Sequence, residues 1–199
     1  MNRNLLMTAL IAGAAFGSSM AASAQTNPAS TTQRDVRQEQ RIENGLQNGT
    51  ITTRENAGLQ RDEARVDRLQ AKDLKNGSLS PAEKAQLTAA QNKTSRDIHR
   101  ATHNGIDGNP LSASSQRAQA DTRRNIDQQR RIANGVENGS LTNHEAAGLE
   151  RGQSHVDRRE ARAGADGHVG AAEQRNIARA DYRQSARVWN KKHNARVKG

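Results

Sequence analysis

Apolar side chains in this chain are sparse and spaced for helices. Leu59 and Val66 lie seven residues apart, and Leu149 and Val156 repeat that interval, as a helical seam requires. No stretch alternates apolar and polar residues for long enough to suggest a strand. The pattern predicts helices over about 32–47, 53–75 and 81–103, then over about 122–137, 143–165 and 171–194. Candidate core positions beside the seams are Ile42, Leu46, Ile51, Leu79, Leu87 and Ile98, with Ile132, Val136, Leu141, Val169, Ile177 and Val188 in the second set.

The two sets are copies. Residues 38–105 align with 128–195 at a constant offset of 90 without a gap, so one structural unit is used twice. The expected architecture is all-α: two homologous three-helix units, 32–105 and 121–195, joined by a flexible linker over 106–120. Gly, Ser, Asn and Pro110 mark that linker. Residues 25–31 read as a flexible tail, and 196–199 as a basic tail. Duplication implies two equivalent faces, hence avidity toward a repetitive surface.

Each unit holds two similar corners 28 residues apart. Asn48-Gly49-Thr50-Ile51-Thr52 leads to Glu55, and Asn76-Gly77-Ser78-Leu79-Ser80 leads to Glu83. Asn138-Gly139-Ser140-Leu141-Thr142 leads to Glu145, and Asp166-Gly167-His168-Val169-Gly170 leads to Glu173. Glycine ends one helix in the left-handed conformation. Ser or Thr then caps the next, and Glu three residues on closes a capping box. Gly170 lacks the hydroxyl and should cap more weakly.

Residues 1–24 read as a cleaved export signal, with Arg3, an apolar run from Leu5 to Phe16, and Ala22-Ser23-Ala24 before the cut. The expected location is therefore periplasmic or secreted. Without the signal the chain keeps no Met or Phe, and its only aromatics are Tyr182 and Trp189. With no cysteine, there is no disulfide to offset a thin apolar core. A mostly disordered chain that folds on its partner is one alternative. The formal charge is +10. Arginines interleaved with acids, as in Arg61-Asp62-Glu63-Ala64-Arg65 and Asp157-Arg158-Arg159-Glu160, read as solvated helix faces. Asp67 beside Arg68 and Asp157 beside Arg158 read as surface pairs.

Catalysis finds no support: there is no nucleophile elbow and no phosphate loop. No cofactor is expected, and the chain is read as a non-enzyme. The corners resemble the EF-hand calcium loop in their Gly, aliphatic and Glu positions. Candidate ligands on that reading are Asn48, Glu55, Asn76, Glu83, Asn138, Glu145, Asp166 and Glu173. Positions 1 and 3 of the loop lack acids, holding Arg162 and Gly164 in the last copy and Lys72 and Leu74 in the second. Capping explains the same residues without an ion, so calcium stays the lesser reading. His99 and His103 have metal-compatible i, i+4 spacing, but the second unit has Trp189 and His193 there.

Lys191, Lys192, Arg196 and Lys198 form the densest basic run, next to Trp189, and make the candidate partner-binding set. Trp189 is expected to pack on the Leu/Ile seam, with interfacial anchoring as the alternative. Nucleic acid is a poor candidate partner, because two aromatics cannot build a stacking platform. The pattern carried by Arg41, Ile42, Gly45, Gly49, Ile51, Thr52 and Glu55, and again by Arg131, Ile132, Gly135, Gly139, Leu141, Thr142 and Glu145, resembles a group of small exported helical-repeat proteins of proteobacteria. That resemblance implies export and a helical repeat, and it brings no catalytic residue. The expected function is a non-enzymatic binding or scaffolding protein of the cell envelope that turns basic helix faces toward an anionic partner. The alternative is a degenerate EF-hand-like protein that binds a divalent cation weakly.

Overall fold

The computed structural model describes residues 28–194. Six helices account for nearly all of them: α1 (Pro28–Asn48), α2 (Thr53–Asp73), α3 (Pro81–Ala101), α4 (Ala113–Glu137), α5 (Asn143–Ala163) and α6 (Ala171–Lys192), with one 3₁₀ turn at Leu74–Asn76 after α2. The expected all-α class is what is found. The proposed signal, residues 1–24, lies outside the described residues, as do Arg196 and Lys198.

Three corners form as the sequence predicts, and the fourth lacks one bond. Gly49, Gly77, Gly139 and Gly167 all have positive φ, between 79° and 93°. Thr52, Ser80 and Thr142 accept from the backbone N–H three residues on, and Glu55, Glu83 and Glu145 reach back to complete the box. At Gly170 only the returning bond remains, from its N–H to Glu173 Oε2 at 2.8 Å. Gly45 and Gly135 serve these corners differently. A Cβ on Gly45 would fall 2.4 Å from Ile51, and one on Gly135 would fall 2.5 Å from Leu141. The corner's aliphatic residue thus folds back onto the end of the preceding helix.

The largest helix interfaces join the two halves. α2 packs on α5, and α1 on α4. The α2–α5 pair is antiparallel. Arg54 at the start of α2 donates to Asp166 O past the end of α5 (2.8 Å), Ser154 Oγ donates to Ala64 O midway (2.7 Å), and Asn143 donates to Gly77 O (2.7 Å). α1 and α4 are likewise antiparallel, tied by Gln33 to Glu137 near one end and Arg123 to Glu43 near the other. α3 and α6 lie outside, each on the other helices of its own half. The two units are therefore one interlocked bundle, where the sequence suggested two bodies on a tether.

Boundaries shift accordingly. α1 begins at Pro28, inside the expected flexible tail. The second half of the expected linker 106–120 is helix, since α4 starts at Ala113 with Ser112 as its cap. What precedes it is tied down: Gly108 N–H donates to Gly49 O at 2.7 Å, and the Gly108 backbone lies against Ile51 and Thr52.

Every candidate core residue is buried except Leu79, which is half-buried. They form two main apolar clusters. One gathers Ile42, Leu46, Ile51, Leu59 and Ile98; the other gathers their counterparts Ile132, Val136, Leu141, Leu149 and Val188. Antiparallel packing puts these clusters at opposite ends of the bundle. The middle is polar.

Candidate functional site

Between the apolar ends, α1, α2, α4 and α5 bury a layer of carboxyl and carboxamide side chains. Asp35, Glu39, Glu63, Asp67, Glu150, Asp157 and Glu160 are each at most 4% exposed. Among the described residues no Lys or Arg nitrogen lies within 4 Å of any of these seven; the ion pairs to buried acids go to Asp73, Asp121, Glu145 and Asp181. Charges stripped of water and left without a counter-ion are costly. Most of them accept instead from amides, and the arrangement in part follows the duplication.

Gln70 donates to Asp35, and at the equivalent positions Asn125 donates to Glu160. Gln60 donates to Glu39 (3.0 Å), whereas at the equivalent positions Gln129 donates to Asp67 (3.0 Å) and Glu150 accepts from the Thr32 hydroxyl (3.0 Å). The first of these bonds is kept between the halves while acid and amide change places. The exchange breaks at Glu63, whose counterpart Gln153 donates to Asn125 and Asp157. Glu63 has no N–H to offer, and both its oxygens lack a donor. The buried side-chain polar atoms without a partner are all oxygens among the described residues, so the layer is short of protons.

Desolvation dominates the titration of this layer. Burial raises Asp35 and Asp157 to about 7 and Glu150 to about 8, against the lowering effect of their amide and hydroxyl donors. Glu39, Glu63, Asp67 and Glu160 are pushed well up by burial and then by neighbouring carboxylates. Nearby, Asp121 and Asp181 share the Arg124 guanidinium, yet burial still raises Asp121 to about 7.

These positions correct the sequence reading. Glu63, Asp157 and Glu160 belong to charge-alternating stretches read as solvated faces, and Asp67 and Asp157 were expected as surface pairs with Arg68 and Arg158. All four are inside. A binary apolar/polar pattern cannot see this, because it assigns every Asp, Glu and Gln to the surface. A signal was nevertheless present: Asp35/Asn125, Glu39/Gln129, Gln60/Glu150, Glu63/Gln153 and Gln70/Glu160 all swap acid for isosteric amide at the same offset. Surface positions have no reason to conserve shape that closely.

The EF-hand-like candidates sit at the corners, apart from this layer. Asn48, Asn76, Asn138 and Asp166 each accept from the backbone N–H two residues on, at 2.9–3.3 Å. Glu55, Glu83, Glu145 and Glu173 each give one oxygen to the cap. The other oxygen of Glu55 accepts from Asn104, and that of Glu145 from Asn194. No family model, curated protein or solved structure matches this chain.

The partner-binding candidates are partly in view. Trp189 is 59% exposed, contrary to the expected packing on the seam; its neighbour Val188 takes the buried place. The indole stacks on His193 with centroids 4.5 Å apart, as His99 pairs with His103 in the first half at 4.2 Å. Lys191 Nζ lies 3.9 Å from Glu145, and Lys192 follows it at the end of α6.

Burying the acids changes the outside of the molecule. Eleven of the 21 Asp and Glu residues are buried, and among the described residues no Lys or Arg is. The surface therefore carries a larger cationic excess than the formal +10 suggests.

Proposed function

We propose that this is a non-enzymatic, exported binding or scaffolding protein that presents a basic helical surface to an anionic partner in the cell envelope. The burial asymmetry carries the reading: eleven of the 21 acids are buried, seven of them in the polar layer, while every described cation stays at the surface. A field of one sign attracts polyanions and speeds their capture. Trp189, Lys191 and Lys192 stand together at the exposed end of α6, a combination suited to an anionic interface. Export rests on the Arg3-to-Ala24 pattern of the sequence.

The test is retention of an envelope extract on the immobilised protein at low and high salt. Partners held by charge should elute as salt rises, because screening shortens the reach of exposed charges to about 8 Å at physiological ionic strength. Retention that ignores salt would contradict the proposal.

A further inference from the structure

The two halves differ in the grooves beneath their outer helices. In the first half, Lys93 Nζ lies 2.8 Å from Asp62 and 2.7 Å from Asp97, and Arg100 reaches Asp97 at 3.1 Å. This α2–α3 groove also has Arg65 on its wall, against the acids Asp62 and Asp97. At offset 90 both acids vanish: Asp62 becomes Gly152 and Asp97 becomes Arg187. Leu69 becomes Arg159, and Lys93 is retained as Arg183. The faces are therefore not equivalent, contrary to the expectation from duplication.

The result is a groove of about 160 Å³ between α5 and α6, with Arg159, Arg183, Arg187 and His155 on its walls. Its floor is buried Val156 and Gln184, drawn close because a Cβ on Gly152 would strike Gln184. No ion pair among the described residues engages any of the three guanidiniums. Of the acids on the same two helices, Glu150, Asp157, Glu160 and Asp181 turn into the core, while Glu145 and Glu173 cap the helix starts, and Glu173 shares a neighbouring pocket with Arg159. Arg158 donates to His155 Nδ1 at 2.8 Å, leaving the ring proton for Nε2. Lost hydration, then the charges of Arg158, Arg159, Arg187 and Arg68, push the imidazole pKa down.

Three guanidiniums held around one small space repel each other until something of opposite charge relieves them. Their planar forks match tetrahedral oxyanions two bonds at a time, and a dianion meets more of them than a carboxylate does. We infer that the α5–α6 groove is a binding site for a phosphate-monoester or pyrophosphate group. This rests on the basic-surface reading above and names the chemistry at its focus: Arg159, Arg183 and Arg187 hold the oxygens, with His155 Nε2–H as a further donor.

Calorimetry with inorganic pyrophosphate, and co-sedimentation with phosphatidylcholine vesicles containing phosphatidic acid, test it on the full chain. Arg187→Asp restores the first half's residue, and Arg96→Asp makes the same charge change on exposed α3. Arg187→Asp should weaken binding at least about tenfold, and Arg96→Asp less than about twofold. Arg183→Gln, which removes only one charge, should fall between them and guards against misfolding of the first variant. Binding of pyrophosphate alone identifies a free ligand; binding of the vesicles identifies a lipid-borne one. Equal losses for Arg187→Asp and Arg96→Asp would overturn the groove and leave diffuse attraction standing. A wild-type chain that binds neither probe, yet retains envelope material in a salt-sensitive way, would also overturn it.

Discussion

Asp67 and Asp157 occupy the same place in the two halves and lie close enough across the α2–α5 interface that the charge of Asp157 pushes the Asp67 pKa up, while Oδ2 of each has no hydrogen-bond donor. Each is 1% exposed. Two carboxylates in that position repel, and a proton shared between them would relieve the repulsion. Beside it, Gln129 donates to Asp67 Oδ1 at 3.0 Å and Gln153 to Asp157 Oδ1 at 3.1 Å.

An amide can replace that proton. Asp67→Asn should leave the Gln129 bond to its carbonyl and offer its own N–H to Asp157. The variant is expected to melt at or above the wild-type temperature at pH 8. Asp67→Ala, which leaves the buried Gln129 Nε2 without its acceptor, should lose about 1–3 kcal/mol. Thermal melts of the two variants check this.

Stability should fall as pH rises. The buried carboxyls have folded pKa values above their unfolded values, so the native state holds more protons than the unfolded chain between them. The stabilisation is complete below the ordinary carboxylate range and is lost as pH climbs through about 7–8, the values of Asp35, Asp157 and Glu150. Each such group lowers stability by about 1.4 kcal/mol per pH unit within its window. Denaturant midpoints at pH 5 and pH 8 should show the higher value at pH 5.

Two kinds of glycine should respond oppositely to alanine. Gly45→Ala drives a methyl into Ile51 and should cost about 1–3 kcal/mol. Gly58→Ala lies inside α2 with nothing within 4 Å and should stabilise by roughly 0.5–1 kcal/mol. Denaturant unfolding of both variants separates the two contributions.

The corners should be indifferent to calcium. Their oxygens already accept from backbone N–H groups and, at Glu55 and Glu145, from Asn104 and Asn194. Circular dichroism and the melting temperature should be unchanged by calcium or chelator. Thr142→Ala, by contrast, should lose about 1 kcal/mol through the broken cap.

Helices and corners were legible in the sequence because their signals are local. Gly139, Thr142 and Glu145 act within a few residues of one another. Val66 and Val156 gave the seam by periodicity alone. The shared core was not legible for the opposite reason. That Asp35 faces Gln70 and Gln91 is a fact of packing between three helices, and nothing near Asp35 in the chain announces it. The α5–α6 groove stayed hidden for a related cause, since losing Asp97's equivalent matters only once Arg183 and Arg187 are known to share a wall with Arg159.

The polar layer and the basic surface are two sides of one arrangement, and carboxyl-carbon magnetic resonance through a pH titration tests it most directly. Asp35 and Asp157 are expected to titrate near pH 7 and Glu150 near pH 8. If every carboxyl in the folded protein has finished titrating below about pH 5, as exposed side chains do, the acids are not inside and the account fails.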